Sequence, residues 1–185
     1  MIHQVFEAMT ADINRFLKSK HDITEDKVVA SSIMNADGSI AIQEPDKVIM
    51  TLANIEADRM QSNIGNYKKT PKGFVKEKPA INVNMTVVFS AYFSSENYLE
   101  GLKFISSIIA YFQSNSGNFT PKNMPALSNI TDRITAELIS LDARDLNNLW
   151  GPLGSKYMPS VIYRVKTLPI RHELPVLPTP IIVKT

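Results

Sequence analysis

Cysteine is absent from this 185-residue chain, which excludes disulfides, thiol nucleophiles and thiolate metal sites. Long apolar runs are absent as well, since no segment approaches the roughly 18 consecutive apolar residues that indicate a membrane span. The N-terminal stretch MIHQVFEAMTADINRFL lacks the basic start and continuous apolar core of an export signal. We therefore expect the chain to be made in the cytoplasm, without a leader or a membrane anchor.

The signals of catalysis are also missing. The chain has three histidines, which are far apart, and none has a second ligand at a metal-binding spacing. The acidic group around His21, at Asp22, Glu25 and Asp26, lacks the glycine and alternating oxygen ligands of a calcium loop. Nucleophile elbows, phosphate-binding loops and dinucleotide fingerprints do not occur. The sequence predicts no catalytic residue, cofactor or metal, and hence no enzyme.

Apolar residues make up 44% of the chain, enough for one folded domain of this length. Spacings of three and four between apolar residues from Ile2 to Leu17 predict a helix that ends near Ser19. A second helix is predicted from a cap at Ser94 or Ser95 to about Gln113. Its predicted buried stripe is Leu99, Leu102, Ile105, Ile109 and Phe112, broadened by Ile108.

Two β-rich runs lie at 27–33 and 47–56, with turn signals at Asp37-Gly38 and at 44–46 between them. We predict that these runs form a hairpin. Residues 81–93 alternate cleanly between apolar and polar, and this pattern predicts a strand with one buried face.

Further strands are predicted at 134–141 and 161–170, and Asp142 is placed to cap a short helix between them. Helices inserted between hairpin-like strand pairs predict an α+β domain, with a mostly antiparallel sheet and helices packed on one face. We assign residues 1–170 to this single domain. Residues 171–185 contain three prolines and are predicted to form an extended tail.

A lysine-rich arm is predicted at 60–79, where the apolar pattern lapses. A solvated loop and a protein-binding arm for an acidic partner are both compatible with this composition. Single-stranded nucleic acid is a further alternative, because Tyr67 and Phe74 add stacking surfaces, although Glu77 interrupts the positive charge. The candidate partner-binding residues are Lys68, Lys69, Lys72, Lys76 and Lys78.

The stretch NNLWGPLGSKYMPS at 147–160 holds the single tryptophan, two glycines and two prolines. Trp150 can anchor the short helix to the sheet, with Gly151 ending the helix and Gly154 turning the chain. Alternatively, Trp150 and Tyr157 form a rigid corner that meets a neighbouring subunit. Both readings, core and subunit interface, stay open on the sequence.

Five stretches together resemble one family: NIEADR at 54–59, VVFSAYFS at 87–94, GLKFISSIIAYFQ at 101–113, FTPKNMPAL at 119–127 and LDARDLNNLWGPLGSKYMPSVIYRVK at 141–166. They are similar to the tail-terminator, or cap, proteins of contractile phage-tail-like injection systems, such as Photorhabdus virulence cassettes and the antifeeding prophage. The resemblance extends to about Leu168, and its most specific part is the last stretch.

The resemblance implies a non-enzymatic assembly protein with a fold like that of phage tail terminators. Members of the family form a sixfold ring on the end of the inner tube and stop tube and sheath polymerisation there. The implied partners are copies of the same chain, the tube protein and the sheath protein, with no membrane. The implied location is the cytoplasm during assembly and then a particle that is released from the cell. A nucleic-acid-binding accessory protein that uses the 66–78 segment is the alternative.

Overall fold

The computed structural model describes residues 1–58, 66–70, 73–77 and 81–170, with side chains over 1–58 and 81–166. The predicted tail at 171–185 lies outside these residues. The elements of the described part, in chain order, are α1 (Ile2–His21), β1 (Val28–Ala30), β2 (Lys47–Ala57), β3 (Asn66–Thr70), β4 (Gly73–Glu77), β5 (Ile81–Tyr92), α2 (Tyr98–Ser114), β6 (Asn118–Phe119), a 3-10 turn (Pro125–Leu127), β7 (Ile134–Ile139), α3 (Ala143–Trp150) and β8 (Ser160–Ile170).

Six strands form one sheet in the order β1-β2-β5-β8-β7-β6, and β3 and β4 form a separate two-stranded sheet. Neighbours in the large sheet are antiparallel except for β1 and β2. The predicted α+β class with a mostly antiparallel sheet is confirmed. None of the helices in the described part is both long enough and apolar enough to span a bilayer.

The predicted hairpin of 27–33 with 47–56 is wrong, because β1 and β2 pair in parallel. The turn signals are real, but they close a smaller loop, in which an isolated bridge joins Met34 to Ile40. The chain then returns to the other end of β1. Asp46, at φ 65°, lies directly before β2, and its carboxylate accepts hydrogen bonds from the Ser94 amide at 3.1 Å and from Asn97 Nδ2 at 2.8 Å.

The larger core lies between one face of the sheet and helices α1 and α2. The predicted stripe of α1 is confirmed, since Val5, Met9, Ile13 and Leu17 are fully buried. The predicted stripe of α2 is partly wrong, because Leu99 and Ile109 are exposed. The cause is Gly101, where an added Cβ would lie 3.1 Å from the Phe93 ring. Ile105, Ile108 and Phe112 are buried as predicted, and Phe104 and Tyr111 join them on the buried face.

A smaller core covers part of the opposite face, where Trp150 packs with Ile33 and Ile49. The alternation predicted for 81–93 therefore fails near the end of β5, where Val88 and Ser90 are buried as well as Val87 and Phe89. Helices α1 and α2 share the predicted face of the sheet, and the short α3 adds a layer on the other.

The outer edge of β1 is closed by a side chain. Asn14 of α1, itself buried, accepts hydrogen bonds from the Lys27 amide at 3.0 Å and the Val28 amide at 2.8 Å. It also donates to the Val28 carbonyl at 2.8 Å. Asn14 thus satisfies the backbone groups that a further strand would otherwise pair.

We predict that Asn14→Ala lowers the free energy of unfolding by about 2 kcal/mol, because it leaves three backbone groups of the β1 edge without partners. Urea denaturation with an unchanged slope measures the loss. Asn54→Ala is the matched control, since Asn54 is exposed and its side chain bonds the Glu56 carboxylate and the Ile55 amide, both on β2 itself. Equal losses in the two variants would contradict this role of Asn14.

Candidate assembly interface

Helix α3 positions Trp150 on the sheet. The helix begins as predicted at Asp142, whose side chain accepts a hydrogen bond from the Asp145 amide at 2.8 Å. Trp150 lies at its other end and is 4% exposed. Among the described residues, Trp150 Nε1 and the buried Ser90 Oγ have no hydrogen-bond partner. Trp150 is buried in the smaller core, where it packs with Ile33 and Ile49.

The turn after α3 presents an aromatic side chain to solvent. Gly151 stays in the right-handed helical region, whereas Gly154, at φ 70°, makes the turn that a glycine favours. Tyr157 is 61% exposed, and its ring meets Trp150 edge-on, with 5.8 Å between the ring centroids. The Pro159 carbonyl accepts from the Ala91 amide at 2.8 Å, which ties the turn to β5. Tyr157 thus contacts a buried neighbour while most of its own ring is exposed to solvent. Its role in a subunit contact stays a prediction.

The lysine-rich arm contains a β-hairpin that the sequence analysis did not predict. Lys68 and Lys69 lie on β3, and Lys76 lies on β4. Lys72 and Lys78 lie outside the described residues. The two strands pair in register from Asn66 opposite Glu77 to Thr70 opposite Gly73.

The hairpin and the Trp150 corner belong to opposite ends of the large sheet. The hairpin segment leaves from the end where Ala57 of β2 pairs with Val83 of β5. The Trp150 corner enters the sheet at the other end, where Ser160 of β8 pairs with Ser90 of β5. The structure therefore does not bring the two groups of candidate residues into one site.

Two exposed isoleucines stand at the hairpin end of the sheet. Ile55 of β2 is 46% exposed and Ile81 of β5 is 63% exposed. The sequence pattern placed Ile81 on the buried face, because alternation alone does not show where a covering layer ends. The sequence feature that could have indicated the exposure of Ile81 was its position beside the lysine-rich segment.

The acidic side chains of Glu25 and Asp26, near His21, form ion pairs with lysines. Lys27 Nζ lies 2.5 Å from Glu25 Oε1, Lys47 Nζ lies 3.3 Å from Glu25 Oε2, and Lys18 Nζ lies 2.9 Å from Asp26 Oδ1. The hydrogen bonds from Lys27 and then Lys47 lower the pKa of the Glu25 carboxyl. Within the described residues, no group of three or more His, Cys, Asp or Glu side chains is arranged to hold a metal ion.

His21 is held within the helix pair rather than near the carboxylates. Its Nε2 lies 2.8 Å from the Ser107 hydroxyl oxygen, and its ring meets Phe104 edge-on. Burial, followed by the nearby charges of Lys103 and Lys20, lowers the pKa of this imidazole. The contacts of His21 therefore serve the packing of α1 against α2.

The fold of this chain is similar to the folds of two solved structures. The chain is similar to the cryo-EM structure of the anti-feeding prophage cap, described as the AFP tube terminating cap, with a TM-score of 0.62 and 14% identity over 98% of this chain and 58% of that one. It is also similar to the PVC sheath/tube terminator of an extracellular contractile injection system in its extended state. That match has a TM-score of 0.59 and 14% identity over 100% of this chain and 64% of that one.

Residues 4–184 match the family model described as the Pvc16 N-terminal domain, and the chain belongs to this family. The family resemblance found in the sequence is confirmed. The chain spans 58% and 64% of the lengths of the two similar structures. A search of curated proteins finds no match.

We predict that Trp150→Ala lowers the free energy of unfolding by about 3–5 kcal/mol, because it leaves a cavity between α3 and the sheet. Tyr157→Ala is the matched control from the same corner and lowers the free energy of unfolding by at most about 1.5 kcal/mol, since Tyr157 is largely exposed and loses only its edge-on contact with Trp150. Chemical denaturation of both variants measures the difference. An unchanged stability of Trp150→Ala would contradict the core role of the indole.

Proposed function

We propose that this chain is a structural cap that ends the inner tube of a contractile injection particle and anchors the end of its sheath. The observation that carries this proposal is the likeness, over 98% and 100% of this chain, to two proteins whose descriptions are tube and sheath terminators. Membership of the Pvc16 N-terminal domain family supports the same role. The chain acts without catalysis, assembles in the cytoplasm and then forms part of the released particle.

The cap works as a closed ring of identical subunits, with six as the expected number. A ring needs two different surfaces on each subunit, one meeting the other on the next copy. The described part of the chain offers several separate exposed features: the hairpin end of the sheet, the Tyr157 corner, and Tyr98 with Leu99 at the start of α2. The lysine arm contacts the terminal ring of the tube.

Nucleic-acid binding by the 66–78 segment is the function with less support. Neither of the two similar structures is described as a nucleic-acid-binding protein. The segment carries five lysines and one glutamate, and Glu56, an exposed residue of β2, adds negative charge where the hairpin segment leaves the sheet. That carboxylate interrupts the continuous positive surface that a bound phosphate backbone follows.

A capping assay tests the proposal. Tubes polymerised in vitro from the tube protein of the same particle are expected to stop growing when this protein is added during polymerisation. Electron microscopy is expected to show a ring of six copies of the 20.7 kDa chain at one tube end. Addition after polymerisation has finished is the control and leaves tube length unchanged. Normal growth with the protein in excess would contradict the capping function.

A second test concerns the sheath. The chain leaves β8 at Ile170, which pairs with Ile81, so the tail begins at the hairpin end of the sheet. Deletion of 171–185 is expected to weaken sheath attachment while the thermal stability of the domain is retained, because an extended segment adds a strand to a partner more readily than it contributes to a core. Intact sheath on particles with the truncated cap would contradict this role of the tail.

A further inference from the structure

The register of the β3–β4 hairpin divides its residues between two chemically different faces. Residues directly opposite each other in an antiparallel pair share a face, and so do residues two apart along a strand. Tyr67 pairs with Lys76, and Lys69 pairs with Phe74. One face therefore carries two aromatic residues and two lysines, each lysine directly opposite an aromatic residue. We call this set, Tyr67, Lys69, Phe74 and Lys76, the aromatic-lysine face.

The other face of the hairpin has no excess charge. Lys68 pairs with Val75, and Asn66 pairs with Glu77. One lysine and one glutamate therefore cancel on this face, whereas the aromatic-lysine face carries a net charge of +2. Lys68 and Lys69 are neighbours in the sequence but belong to opposite faces.

The hairpin forms a sheet of its own, apart from the six-stranded sheet. A two-stranded sheet is marginally stable by itself, so a hairpin of this kind is stabilised by packing against another surface. The charge distribution indicates which kind of surface. Residues 66–78 contain five lysines and one glutamate, a net +4, whereas the whole chain has a net charge of +2, so the remaining residues sum to −2.

The base of the hairpin adds apolar area to this positive surface. Ile55 and Ile81 are exposed at the sheet end from which the hairpin segment leaves. Asp58 donates its amide to the Asn82 carbonyl at 2.8 Å, so the β2–β5 pairing continues up to that point. Exposed aliphatic side chains beside a cationic hairpin fit a protein surface that is both acidic and partly apolar.

We propose that the aromatic-lysine face, together with Ile55 and Ile81, is the surface that docks on an acidic and partly apolar ring at the end of the tube. This inference rests on the proposed capping function and adds the face of the hairpin and the chemistry of its partner. The opposite face, which includes Lys68, lies away from the tube.

Charge reversal at two neighbouring lysines tests the inference. Lys69→Glu and Lys68→Glu change the net charge of the chain equally, but only the first places a carboxylate on the aromatic-lysine face. Co-sedimentation with purified tubes is expected to show affinity reduced about tenfold or more by Lys69→Glu and less than about threefold by Lys68→Glu. The affinity of the unaltered chain is expected to fall as salt rises. Thermal melts show that both variants are folded.

The outcomes separate the two proposals. Equal losses in Lys68→Glu and Lys69→Glu, or no loss in either, would overturn the assignment of the face while leaving the capping function in place. Failure of the unaltered chain to bind tube ends would overturn both. A single-stranded DNA oligonucleotide is titrated in parallel. Tube affinity that survives Lys69→Glu, with DNA affinity lost, would overturn the inference in favour of the nucleic-acid function.

Discussion

The contact of Phe112 with Tyr163 is the interaction on which the rest of the fold depends. The two rings stack with 3.9 Å between their centroids, and Phe89 meets both of them edge-on. Three elements are joined at this point, since Phe112 belongs to α2, Phe89 to β5 and Tyr163 to β8. Burial raises the pKa of the Tyr163 hydroxyl to about 12, so the cluster stays neutral in any physiological medium. Aromatic pairs of this kind add to the energy of burial itself and fix the angle between a helix and a sheet.

The position of α2 decides which face of the central strands is covered by the larger core and which face is left for other contacts. One face enters the larger core, and the other is divided along the strands. Near the Trp150 end it is apolar and covered, by Ile33 and Trp150 over Ile49. Towards the hairpin end it is polar, and four cross-strand neighbours follow one another there. These are Asn54, Thr86, Arg164 and Glu137.

The sequence predicts well what depends on local periodicity and poorly what depends on a distant neighbour. Helix α1 and the Asp142 cap depend on spacing within a few residues, and both are found as predicted. Parallel pairing of β1 with β2 leaves no local signal, because the same strand pattern fits either direction. Ser90 pairs with Ile49 on the face that Trp150 covers, and Trp150 lies sixty residues further along the chain. The β3 and β4 strands were missed because lysine-rich strands outside a core have no apolar alternation.

The two ends of the large sheet differ in their chemistry, and this difference agrees with the proposed role. A cap must present one surface that continues a polymer and another that does not, so its two ends must differ chemically. Here the strands β2, β5 and β8 separate a cationic hairpin with exposed isoleucines from a corner in which Trp150 is buried and Tyr157 exposed. The same strands are buried on both faces at the Trp150 end, which makes them a stiff spacer between the two surfaces. A rigid body with unlike ends adds to a tube in a single orientation, and growth stops because the outer end does not repeat the surface that was bound.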